Sequence, residues 1–251
     1  MKKILILIFC GCLVLSCASS TGNREKKEKL AQAIKKEGDV FQSQGNYTAA
    51  LAKLLEAEKL TPADPHLQNS LGLAYMGKKR HDLAVKAFKK ALSAKPDYME
   101  ARNNLGAAYL RQEKWDTAID QFNLVLDSLI YPTPQFPLTN IGWAYLGKQN
   151  YADAQLYFNK ALDEKPGFIT AVHGLAQVLL RTGQADRAIA YLHNHLRRNP
   201  DAAILHADLA HGYEAKGQLK QAVKSWELVI KLLPENSPLA RKAESKLIDL
   251  R

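Results

Sequence analysis

The seven histidines are the side chains of this sequence best suited to bind a metal ion. His193 and His195 lie two apart on a predicted helix, where each residue turns by about 100°, so their side chains point about 200° apart. His206 and His211 are five apart, which is also unfavourable for sharing one ion. The pattern therefore predicts surface or packed histidines and no metal site.

Motifs of the common enzyme classes are missing from the sequence. It contains no GxSxG, no P-loop, no CxxC and no HExxH. The lysines of "KAFKKALSAK" (86–95) fall on the outer face of a predicted helix, which is typical of a solubilising surface. We predict a protein that is not an enzyme, with no small-molecule substrate.

The N-terminus has the order of a secretory signal. Lys2 and Lys3 precede an apolar run of 12 residues, Ile4 to Leu15. That run is too short for a stable membrane span, which needs about 20 apolar residues. An ordinary cleaved signal and an uncleaved anchor are two interpretations of this segment.

A third interpretation comes from the cysteine that follows. Val14-Leu15-Ser16-Cys17 resembles the lipobox of bacterial lipoproteins. This resemblance implies removal of residues 1–16, lipidation of Cys17 and acylation of its new amine. Cys12 is a weaker alternative, because Phe9 fits poorly at the third position before it. We expect the covalent lipid on Cys17 and no other cofactor.

Lipidation would attach the mature chain to a membrane through a tether, residues 17–30. Cys10 and Cys12 would leave with the signal and Cys17 would carry lipid, so no disulfide is expected. Ala18 stands where an Asp commonly retains proteobacterial lipoproteins in the inner membrane. By analogy, the predicted location is the periplasmic face of the outer membrane of a Gram-negative bacterium.

The chain is basic, with a formal net charge of +10, or 10 − 2 = +8 without Lys2 and Lys3. Residues 23–30, "NREKKEKL", mix both signs, which favours a solvated helix start. Contact with anionic lipid headgroups beside the anchor is the alternative. No aromatic and basic platform for nucleic acid is found.

A repeat of 34 residues organises the rest of the chain. "LGLAY" (71–75), "LGAAY" (105–109) and "IGWAY" (141–145) each open a pair of predicted helices, A and B. The register gives six units: 31–64, 65–98, 99–132, 135–168, 169–202 and 203–236. This pattern resembles the tetratricopeptide repeat. The resemblance implies an all-α fold, a right-handed α-solenoid of six repeats.

Small residues recur at two positions of the repeat. The eighth position holds Gly38, Gly72, Gly106, Gly142, Ala176 and Ala210. The twentieth position holds Ala50, Ala84, Ala118, Ala154, Ala188 and Ala222. A larger side chain would separate helices A and B, so these residues predict the place where the two helices pack.

Residues 237–251 are predicted to form a capping helix, which an open array of repeats requires. Ser237 fits the N-cap and Pro238 the first turn. Apolar residues follow at helical spacing: Leu239, Ala243, Leu247 and Leu250.

Positions 2, 5, 9 and 12 of helix A are predicted to face a concave groove. In units 2 to 4 we select ten of them as candidate partner-binding residues: Asn69, Leu73, Met76, Asn103, Ala107, Leu110, Phe136, Thr139, Trp143 and Leu146. Helix A of unit 4 is apolar on two faces, whereas a helix that serves only its own repeat needs one. The groove is thus predicted to bind an apolar or amphipathic segment with Trp143 as its anchor. The alternative is that Trp143 packs on a neighbouring helix A.

A proline-rich stretch interrupts the register between units 3 and 4. Thr133 and Pro134 are an insertion of two residues, and Tyr131, Pro132 and Pro134 predict a stiff inter-repeat spacer. Because the core pattern resumes at Leu138, we expect a local change of pitch and no domain boundary.

The repeats, the lipobox and Tyr131-Pro132-Thr133-Pro134 together resemble the type IV pilus biogenesis lipoproteins, the pilotins of the PilF, PilW and Tgl type. This resemblance implies a monomeric outer-membrane protein that binds secretin subunits and promotes their assembly. A scaffold of another envelope complex, for outer-membrane protein assembly or the cell wall, is the alternative. A subunit that regulates an envelope hydrolase is a third hypothesis.

Overall fold

The computed structural model describes the backbone of residues 2–250 and the side chains of residues 23–250. The side chains of the predicted signal peptide, 1–16, and of the predicted lipidation site, Cys17, lie outside that range. Residues 2–250 form helices and no strand, which confirms the all-α prediction. The helices are α1 (Lys2–Ser43), α2 (Tyr47–Leu60), α3 (Pro65–Gly77), α4 (His81–Ala94), α5 (Met99–Arg111), α6 (Trp115–Leu126), α7 (Gln135–Gly147), α8 (Tyr151–Glu164), α9 (Ile169–Arg181), α10 (Ala185–Leu196), α11 (Ala203–Ala215), α12 (Leu219–Leu232) and α13 (Pro238–Asp249).

The chain divides into two compact units, which we call the N-terminal unit (Met1–Gln112) and the C-terminal unit (Glu113–Arg251). The division falls inside the predicted third repeat, between α5 and α6. The predicted spacer at 131–134 lies elsewhere, between α6 and α7. The proline-rich stretch is therefore not the point at which the chain divides.

In the N-terminal unit, α1 packs on α2 and α3 packs on α4. Residue Gly72 shows why the eighth position is small. A Cβ atom on Gly72 would lie 2.3 Å from the ring of Phe88 on α4, closer than two carbon atoms can approach. Gly38 faces Leu54 of α2 in the same way, at 2.8 Å. The large residue of helix B thus fills the space that the glycine leaves.

The alanines at the twentieth position are completely buried in both units. All six have no exposed surface: Ala50, Ala84, Ala118, Ala154, Ala188 and Ala222. Each removes a methyl group from water at the face of helix B that packs inward. The alanine spacing therefore marks the buried face of each of these helices.

In the C-terminal unit, α7 packs on α8, α9 on α10 and α11 on α12. Phe158 of α8 is shared, because Cβ atoms on Gly142 of α7 and Gly174 of α9 would lie 2.7 Å and 2.3 Å from its ring. One aromatic side chain therefore fixes the distance between two consecutive A helices.

The last helix, α13, packs on α12. Ser237 accepts a hydrogen bond from the backbone N–H of Ala240 at 3.0 Å, and Pro238 opens the helix, as predicted. Ala243 and Leu247 are buried in one apolar cluster with Trp226 of α12. α13 thus covers the apolar face of the last hairpin.

The charged start at residues 23–30 is helical and exposed, and is part of α1. Arg24 pairs with Glu28 at 2.8 Å, and Lys29 pairs with Glu25 at 2.7 Å, each one helical turn apart. The helix and its ion pairs agree with the predicted charged helix start, while its contact with solvent or with lipid headgroups stays a prediction. In the region with described side chains, no helix combines the length and apolar character that would let it cross a membrane.

The turn between helices A and B holds one residue in the left-handed region of backbone conformation. At equivalent positions of the repeat, Lys79 has φ 58° and Gly183 has φ 73°. A side chain strains this conformation, and glycine adopts it freely.

Candidate functional site

Six predicted groove residues belong to the N-terminal unit. Asn69, Leu73 and Met76 lie on α3, and Asn103, Ala107 and Leu110 lie on α5. Leu73, Met76, Ala107 and Leu110 are half-buried, so they form a partly accessible apolar surface. Both helices pack together, which brings the six residues into one region of this unit.

Asn69 is a predicted partner-binding residue, but its amide already has partners within the protein. Its side chain is buried, and its Oδ1 accepts a hydrogen bond from Asn104 Nδ2 at 3.0 Å. Its own Nδ2 faces the hydroxyl of Tyr98 at 3.4 Å. Asn69 therefore joins α3 to α5 and does not lie open to a ligand.

Four predicted groove residues lie on α7 in the C-terminal unit, and two of them are buried. Phe136 is 43% exposed and Trp143 is half-buried. Thr139 and Leu146 are only 1% exposed, so their prediction as surface residues was wrong. The reason is that α9 packs on α7, which narrows the accessible stripe of that helix.

Trp143 packs on a neighbouring helix A and also borders a cavity. Its ring centroid lies 5.0 Å from that of His173 on α9 and 5.3 Å from that of Phe158 on α8. Phe136 makes an edge contact with Phe168 at 5.2 Å. These aromatic contacts fix both side chains while leaving part of each surface accessible.

The segment between α6 and α7 exposes two apolar side chains that lie outside the predicted groove. Leu129 and Ile130 are 102% and 90% exposed, whereas Tyr131 is half-buried. Pro134 is the N-cap residue of α7. The role of Tyr131, Pro132 and Pro134 as a stiff spacer stays a prediction.

A cavity of about 330 Å³, which we call the C-terminal pocket, lies among four helices of the C-terminal unit. Trp143 of α7 borders it on one side. The other lining residues come from α9, α11 and α13: His173, Gln177, Arg181, Ile204, Ala207, Asp208, His211, Leu239 and Lys242. Its volume is at the lower end for small-ligand sites, which suits single side chains.

Asp208 is the buried acid of this pocket, with 1% of its surface exposed. His173 Nδ1 lies 2.6 Å from one carboxylate oxygen, and Gln177 Nε2 donates to the other at 2.8 Å. Because a buried carboxylate needs hydrogen-bond donors, these two residues stabilise its charge. They also join α9 to α11 at the base of the pocket.

His211 of α11 and Lys242 of α13 are a second polar pair in the lining of the pocket. Lys242 Nζ lies 3.2 Å from His211 Nε2 and donates to it when the imidazole is neutral. Burial lowers the pKa of His211, and the charge of Lys242 lowers it further, against the opposing effect of Glu214. The neutral imidazole thus holds the lysine.

Glu214 supports His211 from the next turn of α11. Burial raises the pKa of Glu214, but hydrogen bonds from Trp226 Nε1 at 2.6 Å and from Lys246 at 3.2 Å outweigh it and lower that pKa. Glu214 is therefore an ionised acceptor whose charge is matched by Lys246.

The repeat register contained part of this pocket. His173 and Gln177 occupy positions 5 and 9 of unit 5, and His211 occupies position 9 of unit 6. Extending the groove positions beyond unit 4 would have found them. Asp208 stands at position 6, where units 3 and 4 carry Asn, and no periodicity indicates that α13 completes the site.

Among residues 23–250, no group of three metal-binding side chains comes together. His206 Nε2 donates to the carbonyl of Pro200 at 2.7 Å, and His193 Nε2 lies 2.7 Å from the hydroxyl of Tyr213. These two histidines have structural partners, while the predicted lack of a metal site remains a prediction.

Comparisons with known proteins agree with the fold. A profile for the tetratricopeptide repeat matches residues 35–98 and 81–131, and another with the same description matches 145–207. Together the matches cover more than half of the chain. No curated protein sequence matches significantly.

Solved structures of similar fold include two pilus proteins. The structure of PilW, a "widely conserved type IV pilus biogenesis factor", superposes with a TM-score of 0.70 at 23% identity, covering 86% of this chain and 98% of that one. The structure of PilF of Pseudomonas aeruginosa gives 0.63 at 19%, covering 88% and 99%. A tetratricopeptide repeat protein of Parabacteroides merdae gives 0.64 at 21%, covering 87% of each chain.

Proposed function

Because the chain belongs to the tetratricopeptide repeat family, we propose that it is a protein-binding scaffold of the outer membrane that binds a secretin subunit. The lipid on Cys17 holds it at the periplasmic face of that membrane. The repeats bind secretin subunits, aid their delivery and promote their assembly into the pore of a type IV pilus. This function requires no covalent chemistry by the protein.

The similarity to PilW and PilF supports the pilus part of this proposal. The match to PilW extends over nearly all of that protein, which is itself a type IV pilus biogenesis factor. The sequence adds the lipobox at Val14–Cys17 and the tyrosine and proline spacer at 131–134. These features lie in other parts of the chain and also favour a pilus lipoprotein.

The observation that carries the binding function is the aromatic surface of α7. Phe136 is 43% exposed, and the half-buried Trp143 is held by two ring contacts. Partly exposed aromatic side chains that are already ordered lose little entropy on binding and are typical anchors of protein interfaces. An apolar or amphipathic secretin segment fits this surface.

The lipid anchor would strengthen binding by raising the effective concentration of the protein at the membrane. A lipid-attached scaffold and a membrane-bound secretin share one surface, so their encounter becomes effectively intramolecular. The affinity of the binding surface for a single segment can therefore be modest.

Deletion of the gene tests the proposal directly. Loss of pili, with the secretin left monomeric, is the expected result, and normal secretin multimers in the deletion strain would contradict it. Co-purification in detergent then identifies the partner. Recovery of another envelope complex or of a hydrolase, without secretin, would support the alternative functions.

The aromatic surface is tested by Phe136→Ala in the complemented strain. Leu156→Ala on α8 is a matched control, since Leu156 is 47% exposed. We expect the first change to weaken secretin co-purification about tenfold and the second to leave it unchanged. Equal effects of both changes would show that α7 is not part of the binding surface.

The anchor is tested by Cys17→Ser. We expect loss of metabolic labelling by palmitate and loss of the protein from the outer-membrane fraction, with secretin assembly reduced. Continued labelling and unchanged fractionation would contradict lipidation at this residue.

A further inference from the structure

The C-terminal pocket holds two cationic side chains, Arg181 and Lys242, that form no ion pair with a carboxylate of residues 23–250. Arg181 is exposed and makes no hydrogen bond or ion pair with any of residues 23–250. Lys242 also forms no ion pair with an acid within that range; its ammonium bonds to the imidazole of His211 and lies over the ring of Trp226, 6.0 Å from its centroid. Both line the same cavity, which therefore has an excess of positive charge.

Other cations of this unit differ from these two. Lys216 pairs with Asp186 at 2.9 Å, and Lys246 pairs with Glu214 at 3.2 Å. The pocket even contains an acid, Asp208, yet no lysine or arginine approaches it. The donors of His173 and Gln177 already occupy both oxygens of that carboxylate. Asp208 therefore forms no ion pair with Arg181 or Lys242 and offsets only one of their two charges.

The rest of the lining is mixed, with polar side chains on α9 and α11 and an apolar part around Trp143. Trp143 offers a ring already fixed by its contacts with Phe158 and His173, and Ile204 and Leu239 extend the apolar wall. A pocket with an apolar wall and few convergent polar groups selects a ligand with both characters. An anion alone would leave the apolar part of the lining exposed to water. An apolar side chain alone would bring Arg181 and Lys242 next to a group that cannot bind them.

We propose that the C-terminal pocket binds an acidic segment of a partner polypeptide, with Arg181 and Lys242 contacting a carboxylate and Trp143 packing on an adjacent apolar side chain. Charge complementarity favours this occupant, because the lining carries two cations, Arg181 and Lys242, against one buried carboxylate, Asp208. The inference rests on the proposed protein-binding function and adds a second, chemically different contact to the aromatic surface of α7.

Matched peptides test the pocket. One synthetic peptide carries three glutamates among leucines, and its control carries glutamines at the same places. Each is titrated calorimetrically into the full chain in detergent at low salt. We expect the glutamate peptide to bind and the glutamine peptide to bind at least about tenfold more weakly, because hydrogen bonds to charged groups are the stronger ones. Equal binding of the two peptides would overturn the proposal.

Charge variants locate the site. Arg181→Gln with Lys242→Gln should weaken the glutamate peptide at least about tenfold. Lys220→Gln with Lys224→Gln on α12 removes the same charge outside the pocket and should change binding less than about twofold. Arg181→Lys keeps the charge and should retain most of the binding. An equal loss in both double variants would show that binding follows net charge and not the pocket.

Two further outcomes are decisive. Sedimentation with phosphatidylglycerol vesicles that depends on Arg181 and Lys242, without peptide binding, would assign the pocket to a lipid headgroup and overturn the proposal. The Phe136→Ala variant should still bind the glutamate peptide. If the peptide fails to bind while secretin co-purification stays sensitive to Phe136, the pocket inference fails and the proposed function stands.

Discussion

The two units join consecutive A helices with different chemistry at the same repeat position. In the N-terminal unit Asn104 donates to Asn69, and in the C-terminal unit His173 faces Asp208; each pair is 35 residues apart. Neutral amides satisfy each other, whereas a buried carboxylate needs donors on both oxygens and takes a second from Gln177. The same backbone register therefore supports an inert contact in one unit and a polar pocket in the other.

At a second repeat position, the two units carry different residue types that make the same contact. Gln68 Nε2 donates to the carbonyl of Pro62 at 2.9 Å, and His206 Nε2 donates to that of Pro200 at 2.7 Å. Both donors stand at position 4 of helix A and both carbonyls belong to the proline that ends the preceding repeat. Amide and imidazole here perform one function, so a change of residue type does not by itself indicate a functional site.

Removal of the buried acid should give the largest difference between the units. Asp208→Ala leaves His173 and Gln177 without their acceptor, and we expect a loss of about 3 kcal/mol in the free energy of unfolding. Asn104→Ala should cost about 1 kcal/mol, because it removes a single neutral hydrogen bond. Urea denaturation followed by circular dichroism measures both.

Replacing the histidine and aspartate pair by the amide pair separates the effect of the buried charge from that of the lost acceptor. His173→Asn with Asp208→Asn rebuilds the amide pair of the N-terminal unit and should cost less than Asp208→Ala alone. A loss as large as that of Asp208→Ala would mean that the charge itself, and not the loss of an acceptor, sets the stability of this contact.

The turn between helices A and B should give the next largest effect. Gly183→Ala places a Cβ atom in the left-handed region and should destabilise the C-terminal unit by about 1 kcal/mol. Lys79→Gly in the N-terminal unit should relieve the same strain and raise its stability, by less than about 1 kcal/mol. Thermal unfolding midpoints should move in opposite directions, and parallel shifts would contradict this account.

The shared carbonyl contact predicts an effect of similar or smaller size. His206→Leu removes the donor to Pro200 and should cost about 1 kcal/mol. His206→Gln copies Gln68 and should cost clearly less. Urea midpoints that fall equally for the two variants would show that His206 acts by packing and not by its hydrogen bond.

The smallest expected effect concerns pH. Burial, with the charge of Lys242, lowers the pKa of His211 below its ordinary value of 6.5. The unfolded chain therefore binds a proton at a higher pH than the folded chain, so stability is full above pH 6.5 and declines as pH falls toward the folded pKa.

His211→Gln should flatten this decline. Glu214, Lys242 and Lys246 face the imidazole and remain in the variant. Unfolding free energies of the two proteins, measured from about one pH unit above the ordinary histidine pKa to about one and a half units below it, give the comparison. Identical slopes would assign the pH dependence to another group.

Much of the local structure follows from the sequence. The 34-residue spacing of alanines and small residues predicted buried faces that the structure contains, and Ser237 and Pro238 marked the start of α13. Such signals are local, because caps and helix faces depend on neighbours within one or two turns. The accessible surface was harder to predict, as Thr139 and Leu146 show.

The sequence by itself determined the tetratricopeptide fold, the apolar helix faces, the cap of α13 and the basic character of the chain. Only the tertiary structure decided which polar residues are used up inside the protein and which stay open. Asn69 is occupied by Asn104, Asp208 by His173 and Gln177, while Arg181 and Lys242 keep their charge free of any carboxylate in residues 23–250. The physical reason is that hydrogen-bond partners about one repeat apart meet only when helices pack, and no local pattern records which donors they bring.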